Sequence, residues 1–249
     1  MNAPATALDP ALLTRFRSDG VTVVRGVFSA AEVARFRVLS LARSAPERQA
    51  LSRAPVFTQV VDTWREPDGL RDLTMHPRLV AVAKALCGGA VRLWHDQILT
   101  KGPKNGAITA FHQDQPYWPL GRTLRSFAAW IALGDTPEEH GCMSFIPGSQ
   151  RLRDLAPQDL ADAGSLLSLR PELAFAERVT IPLRAGDVTF HDGMCAHRAG
   201  DNQLDHPRVA HSVIFVEADA SYDGSAHPVT DHLGLIPGQH LPDERFPVV

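Results

Sequence analysis

The stretch VRLWHDQILTKGPKNGAITAFHQDQPYWPLGRTLRSFAAWIAL, Val91–Leu133, decides the fold. It holds three runs rich in β-branched and aromatic residues, Val91–Thr100, Ile108–Asp114 and Arg125–Leu133, the first two parted by the turn formers Gly102-Pro103 and Asn105-Gly106. The same grammar continues outward to Met143–Ile146, Val179–Leu183, Asp187–Phe190, His197–Ala199 and Arg208–Glu217. Gly134-Asp135, Pro147-Gly148 and Ala185-Gly186-Asp187 supply the turns between them. The segment Asp154–Arg170 interrupts the strands as a mixed helix and loop insertion.

Toward the N-terminus the period changes. Leu12, Leu13 and Phe16 give Pro10–Phe16 a helical face, Asp19-Gly20 breaks it, and Val21–Val24 is a short strand. Ser29 with Glu32 forms a capping box ahead of Val33, Phe36 and Leu39-Ser40. A third helix runs from Pro77 to Leu86 and stops at Gly88-Gly89. A helical prefix followed by short strands predicts a mainly β (α+β) protein, a closed or two-sheet antiparallel barrel buttressed by helices. Without repeats or a linker, the expectation is one domain over 1–249: prefix to about 90, barrel 91–217 and tail 218–249.

Composition narrows the function. Lys+Arg 25 against Asp+Glu 28 gives a net charge of −3, with no basic cluster for a phosphate backbone, so nucleic acid is not an expected partner. The longest uncharged apolar run, Phe127–Leu133, is far shorter than the roughly 20 residues of a membrane span. The start MNAPATALDP lacks a basic start followed by an apolar stretch, so a signal peptide is not expected, and three cysteines without CxxC spacing suit a reducing cytoplasm.

His112-Gln113-Asp114 is the only His-x-Asp or His-x-Glu in the chain. On a strand, residues i and i+2 share a face, so imidazole and carboxylate can converge on a metal ion. A third ligand from a neighbouring strand would complete a two-His, one-carboxylate facial triad, the donor set of non-haem Fe(II) oxygenases. His197 is the best placed, with His191, His206 and His211 close behind; a hydrogen-bonded surface pair is the plainer reading of His112 and Asp114. Arg208 opens the last apolar run. If buried, its fork needs a carboxylate, which a cosubstrate could bring; otherwise it is a rim arginine paired with Asp205.

Taken with these residues, several segments resemble the phytanoyl-CoA dioxygenase family of Fe(II)/2-oxoglutarate-dependent oxygenases. They are FRSDGVTVVRGVF (Phe16–Phe28), LWHDQILT (Leu93–Thr100), AFHQDQPYWP (Ala110–Pro119), AWIAL (Ala129–Leu133), GCMSFIPGSQ (Gly141–Gln150) and FHDGMCAHRAGDNQLDHPR (Phe190–Arg208). The resemblance implies a double-stranded β-helix, a cupin-like jelly roll, with iron held by His112, Asp114 and His197 and the distal carboxylate of 2-oxoglutarate gripped by Arg208. It implies that Trp130 lines the cosubstrate pocket and that Gln97 and Thr109 contact 2-oxoglutarate, with Gln59 in reach. Some relatives carry a serine two residues after the last ligand; Ala199 stands here, so a hydrogen bond must come from elsewhere, such as Thr109. Related halogenases replace the carboxylate ligand with a small residue. Asp114 therefore points to hydroxylation or desaturation using O₂, with release of succinate and CO₂.

Gln115, Tyr117 and Trp118 follow the ligand pair and are expected to border the substrate cavity; Asp96 and Lys101 lie near the preceding strand, and Asp154–Arg170 could lid the site. The expected substrate is a small metabolite. Two other classes share the barrel: a non-catalytic metal or 2-oxoglutarate sensor, and a cupin-like metal isomerase. Neither explains the triad and Arg208 together. Oligomeric state stays open.

Overall fold

The computed structural model of the protein describes residues 8–44, 56–66, 69–121, 125–153 and 156–249. Its strands are β1 Val21–Val24, β2 Thr58–Val61, β3 Val91–Lys101, β4 Thr109–His112, β5 Ser126–Ala132, β6 Met143–Phe145, β7 Val179–Ile181, β8 Val188–Asp192, β9 His197–Ala199 and β10 Arg208–Glu217. The helices are α1 Pro10–Asp19, α2 Ala30–Arg43, α3 Leu70–Thr74, α4 Pro77–Cys87 and α5 Ser165–Leu169.

All strand pairs are antiparallel, in a six-stranded sheet of order β1-β8-β5-β10-β3-β2 and a four-stranded sheet β4-β9-β6-β7. This is the jelly roll expected, in its two-sheet form: among the described residues no ladder closes it into a barrel. β5 (SFAAWIA) is buried at all seven positions because both faces of the large sheet are covered. Phe127, Ala129 and Ile131 face outward onto the helices, packing with Phe36, Leu73, Leu79 and Phe190. Trp130 and Ala132 face inward with Met143 and Phe145 of the small sheet. Each such buried large side chain contributes about 1.5–3 kcal/mol.

The helices begin and end where local chemistry dictates. The Asp9 carboxylate accepts from the Ala11 N–H at 2.9 Å, and Pro10 opens α1, which runs three residues past the predicted Phe16 and closes on Gly20 at φ 76°. The capping box of α2 forms as expected, and α4 reaches Cys87 before Gly88 turns left-handed. α3 has no counterpart among the helices expected from the sequence. Its Thr74, with Thr63, donates to the buried Asp96 carboxylate at 2.8 and 2.9 Å, and His211 Nε2 lies 3.2 Å from the same oxygen. That network pins α3 and the 3₁₀ turn Thr63–Arg65 to β3 and β10.

The insertion, whose residues 154 and 155 lie outside the described ones, forms α5, and a 3₁₀ turn at Pro171–Phe175 follows it. The segment after β10 folds back over the sheets. Phe246 stacks on Trp94 with ring centroids 4.8 Å apart, and the Val249 N–H donates to Val91 O at 2.8 Å. Among the described residues no helix is long and apolar enough to cross a membrane.

Candidate active site

β4 and β9 set the site. Their register places His112 directly opposite His197, with ring centroids 4.3 Å apart. Each imidazole points its Nδ1 back at a carbonyl two residues earlier in its own chain: His112 to Ala110 O at 2.8 Å, His197 to Cys195 O at 3.0 Å. Donation through Nδ1 fixes a tautomer whose Nε2 lone pair is free, the second-sphere arrangement of metal-binding histidines. Both Nε2 atoms face Asp114 Oδ1, at 3.5 and 3.7 Å, too long for good hydrogen bonds but suited to atoms that share a cation. The three ligand atoms lie within 4.8 Å of one another.

One detail differs from the strand argument. β4 ends at His112, and Asp114 has helical backbone (φ −77°, ψ −44°) as the cap of the 3₁₀ turn Gln115–Tyr117. The carboxylate thus reaches the imidazoles through a turn, not through strand alternation. Gln113 between them is fully buried and anchors the turn, donating its amide to Met194 O at 2.7 Å and Leu152 O at 3.0 Å.

Electrostatics agree with the donor set. Burial pushes His197 down to about 3, against the pull of Asp114, so it is neutral at neutral pH. Burial opposes ionisation of Asp114, but the His197, His112 and His191 imidazoles hold its carboxyl well below the usual range. His191 Nε2 lies 3.5 Å from the other carboxylate oxygen, Asp114 Oδ2, and its ring lines the same cavity. Neither His206 nor His211 is free to act as the third ligand: His206 pairs with exposed Asp205 at 3.1 Å, and His211 belongs to the Asp96 network.

The predicted residues, Gln115 apart, meet in one cavity of about 370 Å³ between the sheets, lined by His112, Asp114, His197, Arg208, Trp130, Gln97, Thr109, Gln59, Tyr117 and Trp118. Arg208 does not pair beside His197: β10 lies in the other sheet, opposite Lys101 of β3, and the guanidinium reaches across the sandwich. It is 3 % exposed, donates to Gly141 O at 3.0 Å, sits 5.3 Å from the Trp130 ring, and leaves Nε without a partner. Burial lowers it to about 10. Among the described residues no carboxylate pairs with it, so the rim pairing with Asp205 does not occur. Lys101, lowered to about 7 by burial and by Arg208, donates to Gly200 O at 2.6 Å and Ala107 O at 2.8 Å. It braces the loops at Ala107 and Gly200 and does not line the cavity.

Gln59 donates its amide to Gln97 Oε1, so the two act as a pair on neighbouring strands. Thr109 lies directly opposite Ala199. Gln115 is placed differently from the expectation: its amide accepts from Ser126 Oγ at 2.9 Å and donates to Gly121 O at 3.2 Å, and it does not line the cavity. Sequence reasoning missed His95 and Met143, and also His227 of the C-terminal segment and Leu160 of the insertion, all in the cavity wall. Only their fold partners bring these together; no spacing links them.

Two imidazoles and a carboxylate that could hold a metal ion, sharing a cavity of a two-sheet jelly roll with a buried guanidinium, define the class of protein to compare it with. The chain belongs to the phytanoyl-CoA dioxygenase family, whose model, "Phytanoyl-CoA dioxygenase (PhyH)", matches residues 16–210. Mouse phytanoyl-CoA dioxygenase domain-containing protein 1 is 32% identical over 156 residues, 59% of this chain and 53% of the mouse protein, so the match spans about half of that relative. The crystal structure of the epimerase SnoN with Fe3+, α-ketoglutarate and nogalamycin RO superposes with a TM-score of 0.85 at 36% identity, covering 96% of this chain and 99% of that one. The α-ketoglutarate-dependent carbocyclase SnoK from nogalamycin biosynthesis gives 0.87 at 33% identity, covering 100% and 99%.

Proposed function

We propose that this protein is a non-haem Fe(II)- and 2-oxoglutarate-dependent oxygenase of a small organic substrate. His112, Asp114 and His197 hold the iron, and Arg208 grips the distal carboxylate of 2-oxoglutarate. The observation that carries the reading is the pairing, in one cavity, of a two-His, one-carboxylate cluster with a buried guanidinium that lacks a carboxylate partner. Bound there, iron, 2-oxoglutarate and O₂ supply oxidative decarboxylation to succinate and CO₂, coupled to removal of a hydrogen atom from the substrate.

The chain's own residues provide geometry and dryness. Ala110 O and Cys195 O hold the imidazole tautomers, and Asp114 supplies the negative charge that offsets a dication. Trp130 and Met143 wall the cosubstrate side, while Gln97 and Thr109 offer it hydrogen bonds. Tyr117 and Trp118 border the substrate side. Asp114 favours hydroxylation. A second outcome, epimerisation or ring closure, is favoured by the likeness to SnoN and SnoK at 36% and 33% identity. One domain is proposed, since the cavity draws residues from Phe57 to Pro228, and three free cysteines suit a cytoplasmic setting.

The test is iron-dependent conversion of 2-oxoglutarate to succinate by the protein and by His112→Ala and Asp114→Ala. The reading requires turnover in the parent and none in either variant; undiminished turnover in a variant overturns the assignment of ligands.

A further inference from the structure

Besides the proposed iron ligands, two further imidazoles without an assigned role line the cavity. His95 of β3 and His227 of the C-terminal segment stand side by side in its wall, with ring centroids 5.9 Å apart and planes tilted by 52°. No hydrogen bond joins them. His95 is 3 % exposed, and its Nδ1 is buried without a partner among the described residues. A buried, unsatisfied imidazole costs stability unless something answers it, and one that lines a cavity can be answered by a ligand. His227 accepts the Val229 N–H on Nδ1 at 3.2 Å, which leaves Nε2–H as a fixed donor.

The surroundings set the chemistry of what could bind beside these imidazoles. Trp118 stands edge-on to His95 at 6.4 Å, and Tyr117, Phe57 and Pro228 complete an apolar, largely aromatic wall suited to a ring. Burial keeps both imidazoles neutral, at about 3 for His95 and about 4 for His227. Arg208 is the one Arg or Lys that lines the cavity among the described residues, and the cosubstrate claims it. An anionic group would find no counter-charge there, and a coenzyme A thioester would find none for its phosphates. A hydroxyl or carbonyl can accept from one imidazole and, if a hydroxyl, donate to the other.

We propose that His95 and His227 form the oxygen-recognition subsite of the substrate pocket, taking a hydroxyl or carbonyl group of a neutral, ring-bearing substrate. The proposal rests on the oxygenase reading of the same cavity and adds the substrate class. It also gives the C-terminal segment a role: it carries one half of the subsite, so the pocket is complete only when that segment lies over the sheets.

The test uses the full-length protein loaded anaerobically with Fe(II) and 2-oxoglutarate, titrated calorimetrically with three probes of one skeleton: 1-naphthol, naphthalene and 1-naphthalenesulfonate. Saturable naphthol binding, about tenfold or more tighter than naphthalene or the sulfonate, is expected from one or two well-made hydrogen bonds. His95→Leu and His227→Leu should each remove that preference by weakening naphthol alone. His227→Gln, which keeps an N–H donor, should restore most of it and excludes general misfolding as the cause. Equal binding of naphthol and naphthalene, tighter binding of the sulfonate, no saturable naphthol binding, or an unchanged preference in both Leu variants overturns the subsite. The visible charge-transfer band of the loaded protein reads the iron and 2-oxoglutarate assignment separately: its absence sinks that reading whatever naphthol does.

Discussion

Replacing Arg208 by methionine separates a ligand clamp from a structural pillar. Methionine keeps much of the length and apolar bulk and removes only the charge and the fork. In the protein the guanidinium is 3 % exposed, and its fall from 12.5 to about 10 corresponds to about 3 kcal/mol of unfavourable burial. The charged hydrogen bond to Gly141 O returns about 1.5–3 kcal/mol, and the contact with Trp130 about 0.5–2. These nearly cancel, so ligand-free Arg208→Met should lie within about 2 kcal/mol of the parent, a shift in melting temperature of roughly 4–8 °C at most in either direction. Binding should respond very differently. Loss of one partner from a buried, hydrogen-bonded charge pair costs about 2–5 kcal/mol, or about 30-fold to several-thousand-fold in affinity. With anaerobic Fe(II) and 2-oxoglutarate at about 100 times Kd, the parent gains about 2.7 kcal/mol. Under the same conditions the variant should gain less than about 1 kcal/mol. Thermal unfolding with and without 2-oxoglutarate measures both effects. A variant that loses more than about 4 kcal/mol without ligand, or that keeps the 2-oxoglutarate-induced rise, would refute the clamp.

Other outcomes follow from residues outside the metal site. Asp96→Ala leaves His211, Thr63 and Thr74 facing a buried gap and should cost about 3–5 kcal/mol in denaturant unfolding. Burial opposes ionisation of Asp96, but its hydrogen bonds hold the folded carboxyl below 3.8; its stabilisation is therefore full above about pH 4 and fades as pH falls, so the deficit of Asp96→Ala should shrink on acidification. Gly186 (φ +89°) would bring an added Cβ within 2.3 Å of Phe28 O, whereas Gly26 (φ +62°) has open space, so Gly186→Ala should lower the urea midpoint clearly more than Gly26→Ala, which carries only the backbone strain of about 1–3 kcal/mol. The Cys195 thiol is fully buried and pushed up to about 12 by burial; iodoacetamide should modify half-buried Cys87 first and reach Cys195 only on unfolding.

Residues whose role is carried by a local pattern are legible in the sequence. Ser29 and Glu32 cap a helix wherever they stand three apart before an apolar face, and β5 announces itself by seven consecutive buriable residues. His112 and Asp114 stand out by their spacing, although a turn rather than a strand brings them together. The same reasoning fails where long-range packing decides. β10 pairs with β3 and β5, so Arg208 arrives from the sheet opposite His197 instead of beside it. Gln115 is near the ligands in sequence but turns away to Ser126, because the buried hydroxyl and its amide satisfy each other. His95 and His227 are 132 positions apart and meet only because the chain after β10 folds back and stacks Phe246 on Trp94. α3 is only five residues long and is held by tertiary contacts to Asp96 more than by propensity.

The most direct measurement is an anaerobic titration of the metal-free protein with Fe(II) and then 2-oxoglutarate, followed by visible absorption. The account predicts a weak metal-to-ligand charge-transfer band that needs both additions, saturates at one equivalent of each, and is lost in Arg208→Met and in His112→Ala. Stoichiometric iron binding with no band on adding 2-oxoglutarate would contradict it and leave a metal-binding jelly roll of a different function.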